Sequence, residues 1–273
     1  MSELTQEIEK EEGMYVYDKK IECPVCMKEF TTKIVKTGKA RFKGSEMDLR
    51  PIYEGVDTIK YDVYMCPHCG YSAVSREFNN ITPSQRKTLM EEIGSKYAGV
   101  SVEYDGIYSY DEAVVRYKMA LLTAIKKPAK LSECAYLCLK LSWLYRSMSE
   151  EKIEEHYREK AYKGFEEALQ KEYPPICGMD ENTISYLMSV LAYKSGDNDK
   201  AMQYGYSVIS SRGASTKLKD KFFNKGKVNT IVERELIFKI GVFVCIFIIG
   251  TFIEAYLCPN IIKFVVTNVY KVS

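Results

Sequence analysis

Two cysteine pairs constrain this chain more than any other feature. Cys23-Pro24-Val25-Cys26 and Cys66-Pro67-His68-Cys69 repeat one Cys-Pro-x-Cys pattern, with 39 residues between them. Two residues between cysteines let a single tight turn aim both sulfurs at one point, and the backbone N–H groups of that turn face the sulfurs. Pro24 and Pro67 stiffen the turns, and Gly70 suits the left-handed position that follows the second sulfur. Four thiolates at such spacing form closed, tetrahedral structural zinc sites. The pattern predicts a β-rich zinc ribbon in which Cys23, Cys26, Cys66 and Cys69 hold structural Zn2+, and the ion replaces a core too small to fold alone. His68 is expected to point outward, because four sulfurs already complete the shell.

The same residues permit a second reading. A disulfide exchanger places the first cysteine of such a tetrad at a helix N-terminus, where its pKa falls; Cys66 would then be the nucleophile and Cys69 the resolving thiol. The stretch "KYDVYM" supplies a preceding strand. Against this, the pair is duplicated, "GYSAVSREFNN" makes a poor first helical turn, and the βαβ order of redox folds is missing. A third reading is a nucleic-acid-binding ribbon. Residues 31–50 carry six Lys or Arg against two acids, but Glu54, Asp57 and Asp62 follow at once and the formal net charge is only +2. Nucleic acid is therefore not the expected partner.

The first twenty residues are acidic and lack an apolar run, so no secretory leader opens the chain and a reducing, cytoplasmic setting is expected. Nine cysteines in that setting point to metal ligands or buried thiols rather than to a disulfide framework. Cys134 and Cys138, four apart on a predicted helix, read as small core residues. Cys177 precedes a helix that Asp180 could cap, but no base stands beside it in sequence. No phosphate-cradling loop, Ser/His/Asp order or hydrolase motif occurs, so neither catalytic nor cofactor-binding residues are assigned and an enzyme is not expected.

The organisation follows from periodicity. Residues 1–20 read as a loose lead-in and residues 21–80 as the ribbon, with strands expected in "TTKIVKTGKARF" and "IKYDVYM". Thr82, Pro83 and Gln85 form a capping-box start, and the helical period then runs through residues 81–212. "YDEAVVRYKMAL" and "LAYKSGDNDKAMQYGYSVI" resemble tetratricopeptide helices, with small Ala113 and Ala201 at the crossings and Tyr117 and Tyr204 beside them. A middle pair fits between Leu131 and Gln170, with "MSEEKIEEHYRE" as a long charged loop. One such hairpin cannot bury its apolar face alone, so about three stacked units are expected. Their concave groove would take a partner protein or peptide.

Residues 213–235 read as a basic linker. Residues 236–257 are the most apolar stretch, although their uncharged centre, 240–253, is shorter than the ~20 residues a span needs. With eight Lys or Arg against three acids over residues 210–239, a spanning tail would anchor the rest at the cytoplasmic face of the membrane. A buried terminal helix is the alternative.

Taken together, "CPVCMKEF", "KYDVYMCPHCGYSA", "PPICGMDENTISYLMSVLAYKSGDNDKAMQYGYSVI" and "ASTKLKDK" resemble the bacterial proteins grouped as domain of unknown function 2225, over roughly residues 20–221. The resemblance implies an α+β, mostly α fold: a zinc-ribbon-like unit followed by a tetratricopeptide-like helical body. It implies no activity. The apolar tail after Lys221 departs from the charged helix usual in that family.

Overall fold

Short antiparallel hairpins lead into the fold and helices complete it. The computed structural model describes residues 11–99 and 107–224, and within them the chain is mostly helical with small antiparallel sheets. The described residues up to Leu218 form one compact unit. Among the described residues no helix is long and apolar enough to cross a membrane; the expected span at 236–257 lies outside them.

Strand β1 (Val16–Glu22) pairs antiparallel with β2 (Glu29–Val35), from Val16 opposite Val35 to Glu22 opposite Glu29. The chain is therefore ordered before residue 21. Glu12, inside the expected loose lead-in, is buried, with its carboxylate 2.6 Å from Lys60 Nζ and accepting the Tyr61 hydroxyl at 2.8 Å. A buried carboxylate with two such partners fixes its own backbone. Strands β3 (Phe42–Ser45) and β4 (Pro51–Tyr53) form a second hairpin, and β5 (Val63–Met65) and β6 (Ser72–Val74) a third. The stretch expected as one strand, "IKYDVYM", divides. Asp57 accepts the Ile59 N–H at 3.2 Å and starts a 3-10 turn, Thr58–Tyr61, before β5 begins. A side chain that captures a backbone donor in this way competes with strand pairing.

Helix α1 (Pro83–Glu92) starts as its sequence predicts: Gln85 N–H donates to Thr82 Oγ1 at 3.3 Å, and Thr82 N–H to Gln85 Oε1 at 3.0 Å. A second capping box, Ser109 with Glu112, opens α2 (Tyr110–Lys126). Then come α3 (Leu131–Ser147), α4 (Glu151–Lys171), α5 (Glu181–Lys194, capped by Asp180), α6 (Asn198–Ser210) and α7 (Thr216–Asn224), the last within the expected linker.

The long charged loop expected at "MSEEKIEEHYRE" is not there. Only residues 148–150 separate α3 from α4, and the acidic run is the first turns of α4. Glu151 and Glu154 sit where the helix dipole favours negative charge, and Arg146 donates to Glu154 at 2.8 Å across the corner. Small residues let α3 and α4 approach: a Cβ on Gly164 would lie 2.9 Å from Ala135 Cβ. Ala113, Tyr117, Ala161, Phe165 and Ala201 are buried in one apolar core with Leu139, Leu141, Leu187 and Leu191.

Charged contacts fasten residues 46–62 to α3. Asp48, fully buried, takes Arg146 and, at 3.3 Å, Lys194 from α5; Arg50 donates to Asp57, to Ser147 and to the Trp143 carbonyl. Burial alone would raise the Asp48 carboxyl, but Arg146 and then Lys194 outweigh it and hold it below the usual carboxylate range.

Candidate metal centre

The two hairpins β1–β2 and β5–β6 each end in a cysteine turn of the same construction. In the first, Cys23 N–H donates to the Lys28 carbonyl at 3.0 Å and Met27 N–H to the Cys23 carbonyl at 2.9 Å. In the second, Cys66 N–H donates to the Tyr71 carbonyl at 2.9 Å and Gly70 N–H to the Cys66 carbonyl at 2.9 Å. The N–H groups of Val25 and Cys26 turn toward Cys23 Sγ, and those of His68 and Cys69 toward Cys66 Sγ. The residue after each second cysteine is left-handed: Met27 at φ 60 and Gly70 at φ 71. The sequence marks this position only at Gly70. Its equivalence to Met27 follows from counting one residue past Cys26.

The turns meet face to face. Cys23 Sγ lies 3.7 Å from Cys69 Sγ, and Cys26 Sγ lies 3.7 Å from Cys66 Sγ. All four sulfurs are within 4.8 Å of one another. A tetrahedron with arms of about 2.3 Å, the length of a zinc–thiolate bond, has edges of about 3.8 Å. A disulfide would need about 2.05 Å. The spacing therefore fits four thiolates around one ion, and none of these cysteines is disulfide-bonded.

The charge distribution makes the same point. With protons alone to share, Cys66 falls far below the usual thiol range because Cys23, then Cys69, donate to it. Cys23 is pushed up to about 12, chiefly by its hydrogen bond with Cys66, and Cys69 is raised chiefly by Cys23. Several thiolates this close and this buried coexist only around a cation.

The surroundings seal the cluster. Cys23, Cys66 and Cys69 pack with Val25, Phe30, Tyr71, Phe78, Leu89 and Ile93 in a compact apolar shell. Helix α1 contributes Leu89, and Tyr71 donates to the Phe78 carbonyl at 2.8 Å. Gly70 is tight as well as left-handed: a Cβ there would sit 2.5 Å from the Tyr97 ring. This cover from α1 and Tyr97 has no sequence signal in the cysteine motif itself. Cys26 is the partly exposed member.

His68 is exposed, with Nε2 3.2 Å from the Glu29 carbonyl, and stands outside the sulfur cluster. Residues 66–70 form the turn of a β-hairpin, so Cys66 does not sit at a helix N-terminus. Cys138 is buried, with its thiol pushed up to about 11 by burial; Cys134, half-buried, is raised by burial. Cys177 donates to the Ser132 carbonyl at 3.2 Å and is likewise raised by burial to about 11. Thiols raised in this way are poor nucleophiles.

A protein of Borreliella burgdorferi described as an uncharacterized protein is 22% identical over 160 residues, which are 52% of this chain and 57% of that one. The chain thus spans a little over half the length of that relative. No solved structure matches it. A family model described as an uncharacterized protein conserved in bacteria, DUF2225, matches residues 16–227, and the chain belongs to that family.

Proposed function

We propose that the protein is a non-enzymatic scaffold in which a structural zinc ion, held by Cys23, Cys26, Cys66 and Cys69, staples the β-hairpins to one another and presents a tetratricopeptide-like helical body to a protein partner. The observation that carries this reading is the sulfur tetrahedron: two like turns, four sulfurs, edges of 3.7 Å where measured across the turns, sealed by an apolar shell. Zinc suits four thiolates in a closed site, where it has no open position for substrate and serves folding rather than chemistry. Supporting the helical part of the reading are short-linked hairpins with Ala135 and Gly164 at a close crossing, a buried Ala201, and exposed apolar side chains, Leu122 and Ile125, on α2. Residues 236–257 would tether it to the cytoplasmic face of a membrane.

The test is direct. Elemental analysis of the purified protein should give one zinc per chain, and chelation should abolish the near-ultraviolet dichroism of the Tyr71–Phe78 region while insulin reduction stays at background. Metal-free protein that keeps its fold and reduces insulin would replace this reading with thiol exchange at Cys66. Affinity capture with and without residues 230–273 would then separate a partner of the helices from a membrane tether.

A further inference from the structure

A second site lies away from the sulfurs. The face of α3 that carries Tyr136, Leu139, Lys140 and Trp143, at i, i+3, i+4 and i+7, packs on its neighbours but leaves a gap. It lines a cavity of about 470 Å³, with Ile59 of the 3-10 turn and Leu187 of α5 among the opposite walls. That volume is in the range of small-molecule sites, which are mostly apolar with a few placed polar groups. Here the apolar walls are leucine, isoleucine and aromatic rings.

Two polar features mark it. Trp143 is only 3% exposed, yet its Nε1–H has no hydrogen-bond partner among the described residues. A buried indole N–H ordinarily finds an acceptor, and leaving one unmet is costly. Beside it, Lys140 and Asp62 are already matched. Lys140 Nζ donates to Asp62 Oδ2, Ser75 Oγ donates to Asp62 Oδ1 at 3.0 Å, and the ammonium stands 4.6 Å from the centre of the Tyr136 ring. Among the lining residues Lys140 is the cation and Asp62 the anion, so the wall has no spare charge. An anionic or cationic ligand would be desolvated there without a counterion. A neutral molecule would not.

We propose that this cavity binds an uncharged, largely apolar molecule that offers one carbonyl-type acceptor to the Trp143 indole N–H. The proposal is independent of the metal centre. Trp143 is the one tryptophan of the chain, so its indole reports on the site alone.

The experiment titrates full-length protein carrying ¹⁵N-labelled indole with coumarin, a neutral aromatic lactone, and follows the single indole N–H resonance. A saturable downfield shift is expected in the micromolar to low millimolar range. Coumarin-3-carboxylate, its charged relative, should bind at least about tenfold more weakly. Thr58→Phe, at the half-exposed rim, should remove the shift while the rest of the spectrum stays folded. Trp143→Phe keeps an aromatic ring but lacks the donor, and should weaken coumarin about fivefold in saturation-transfer measurements. No saturable shift with coumarin, equal binding of the carboxylate, or undiminished binding by folded Trp143→Phe protein would each overturn the proposal.

Discussion

The first and second cysteine turns share their hydrogen bonds atom for atom, but their housing differs. The Cys23–Cys26 turn joins β1 to β2, with Cys26 partly exposed and Met27 55% exposed. The Cys66–Cys69 turn is closed over by Tyr97 and α1, and both its sulfurs are buried. The comparison teaches that turn chemistry is local and repeatable, whereas access to the sulfurs is set by what packs on top. A ligand sulfur under cover cannot be replaced by water; one at the rim can.

Substituting one sulfur in each turn gives the largest expected contrast. Cys66→Ser should lose the ion entirely, falling from about one per chain to near zero, and destabilise the hairpin region by on the order of 5 kcal/mol. Cys26→Ser should keep a weaker ion with water completing the shell. Elemental analysis after dialysis against a mild chelator, alongside thermal melts, reads both. Equal loss from the two variants would erase the distinction drawn here.

Acid sharpens the comparison by asking whether the sulfurs are the first structure to fail. Asp48, remote in sequence from both turns, competes for that place. Burial would raise its pKa, but Arg146 and Lys194 lower it by more, so its folded pKa lies below the unfolded value of about 3.9. Its contribution to stability is whole above about pH 4 and is lost as pH falls through the folded pKa. Asp48→Asn should cost about 2–3 kcal/mol at neutral pH by stranding part of the Arg146 charge, and should flatten the acid limb below pH 4. Urea melts at pH 7 and pH 3.5 check this. An unchanged acid limb would assign that transition elsewhere.

Two smaller changes address the left-handed residue that each turn shares. Gly70→Ala adds a Cβ into the Tyr97 ring at a positive φ and should destabilise by about 1–3 kcal/mol. Met27→Gly relieves a side chain from φ 60 on an exposed surface and should stabilise by about 0.5 kcal/mol, the strain relief being partly offset by the greater freedom of glycine when unfolded. Chemical denaturation of the metal-loaded protein measures both. Opposite signs would confirm that the turns are equal in backbone and unequal in cover.

Much of this was legible in the residues because it depended on near neighbours. The spacing within each Cys-Pro-x-Cys unit, the Thr82–Gln85 capping box and the Asp180 cap each involve groups no more than three residues apart, so their geometry is nearly settled by the peptide itself. The acidic start of α4 was misread as a loop because charge alone resembles solvated coil. The helix is held by its apolar face, where Ala161 and Phe165 are buried, and Arg146 on the helix before meets Glu154 at its start. "IKYDVYM" was misread as a strand because its alternation was genuine and Asp57 overrode it.

By itself, then, the sequence determined that four sulfurs occur in two identical turns and that a helical body follows, since local spacing and periodicity carry both. Only the tertiary structure decided that the turns face each other at tetrahedral distances, that both sulfurs of one are buried while the other leaves Cys26 partly exposed, and that Trp143 and the Lys140–Asp62 pair border one cavity. These depend on contacts between residues dozens of positions apart, and such contacts are fixed by how whole elements pack, which no short window of residues contains.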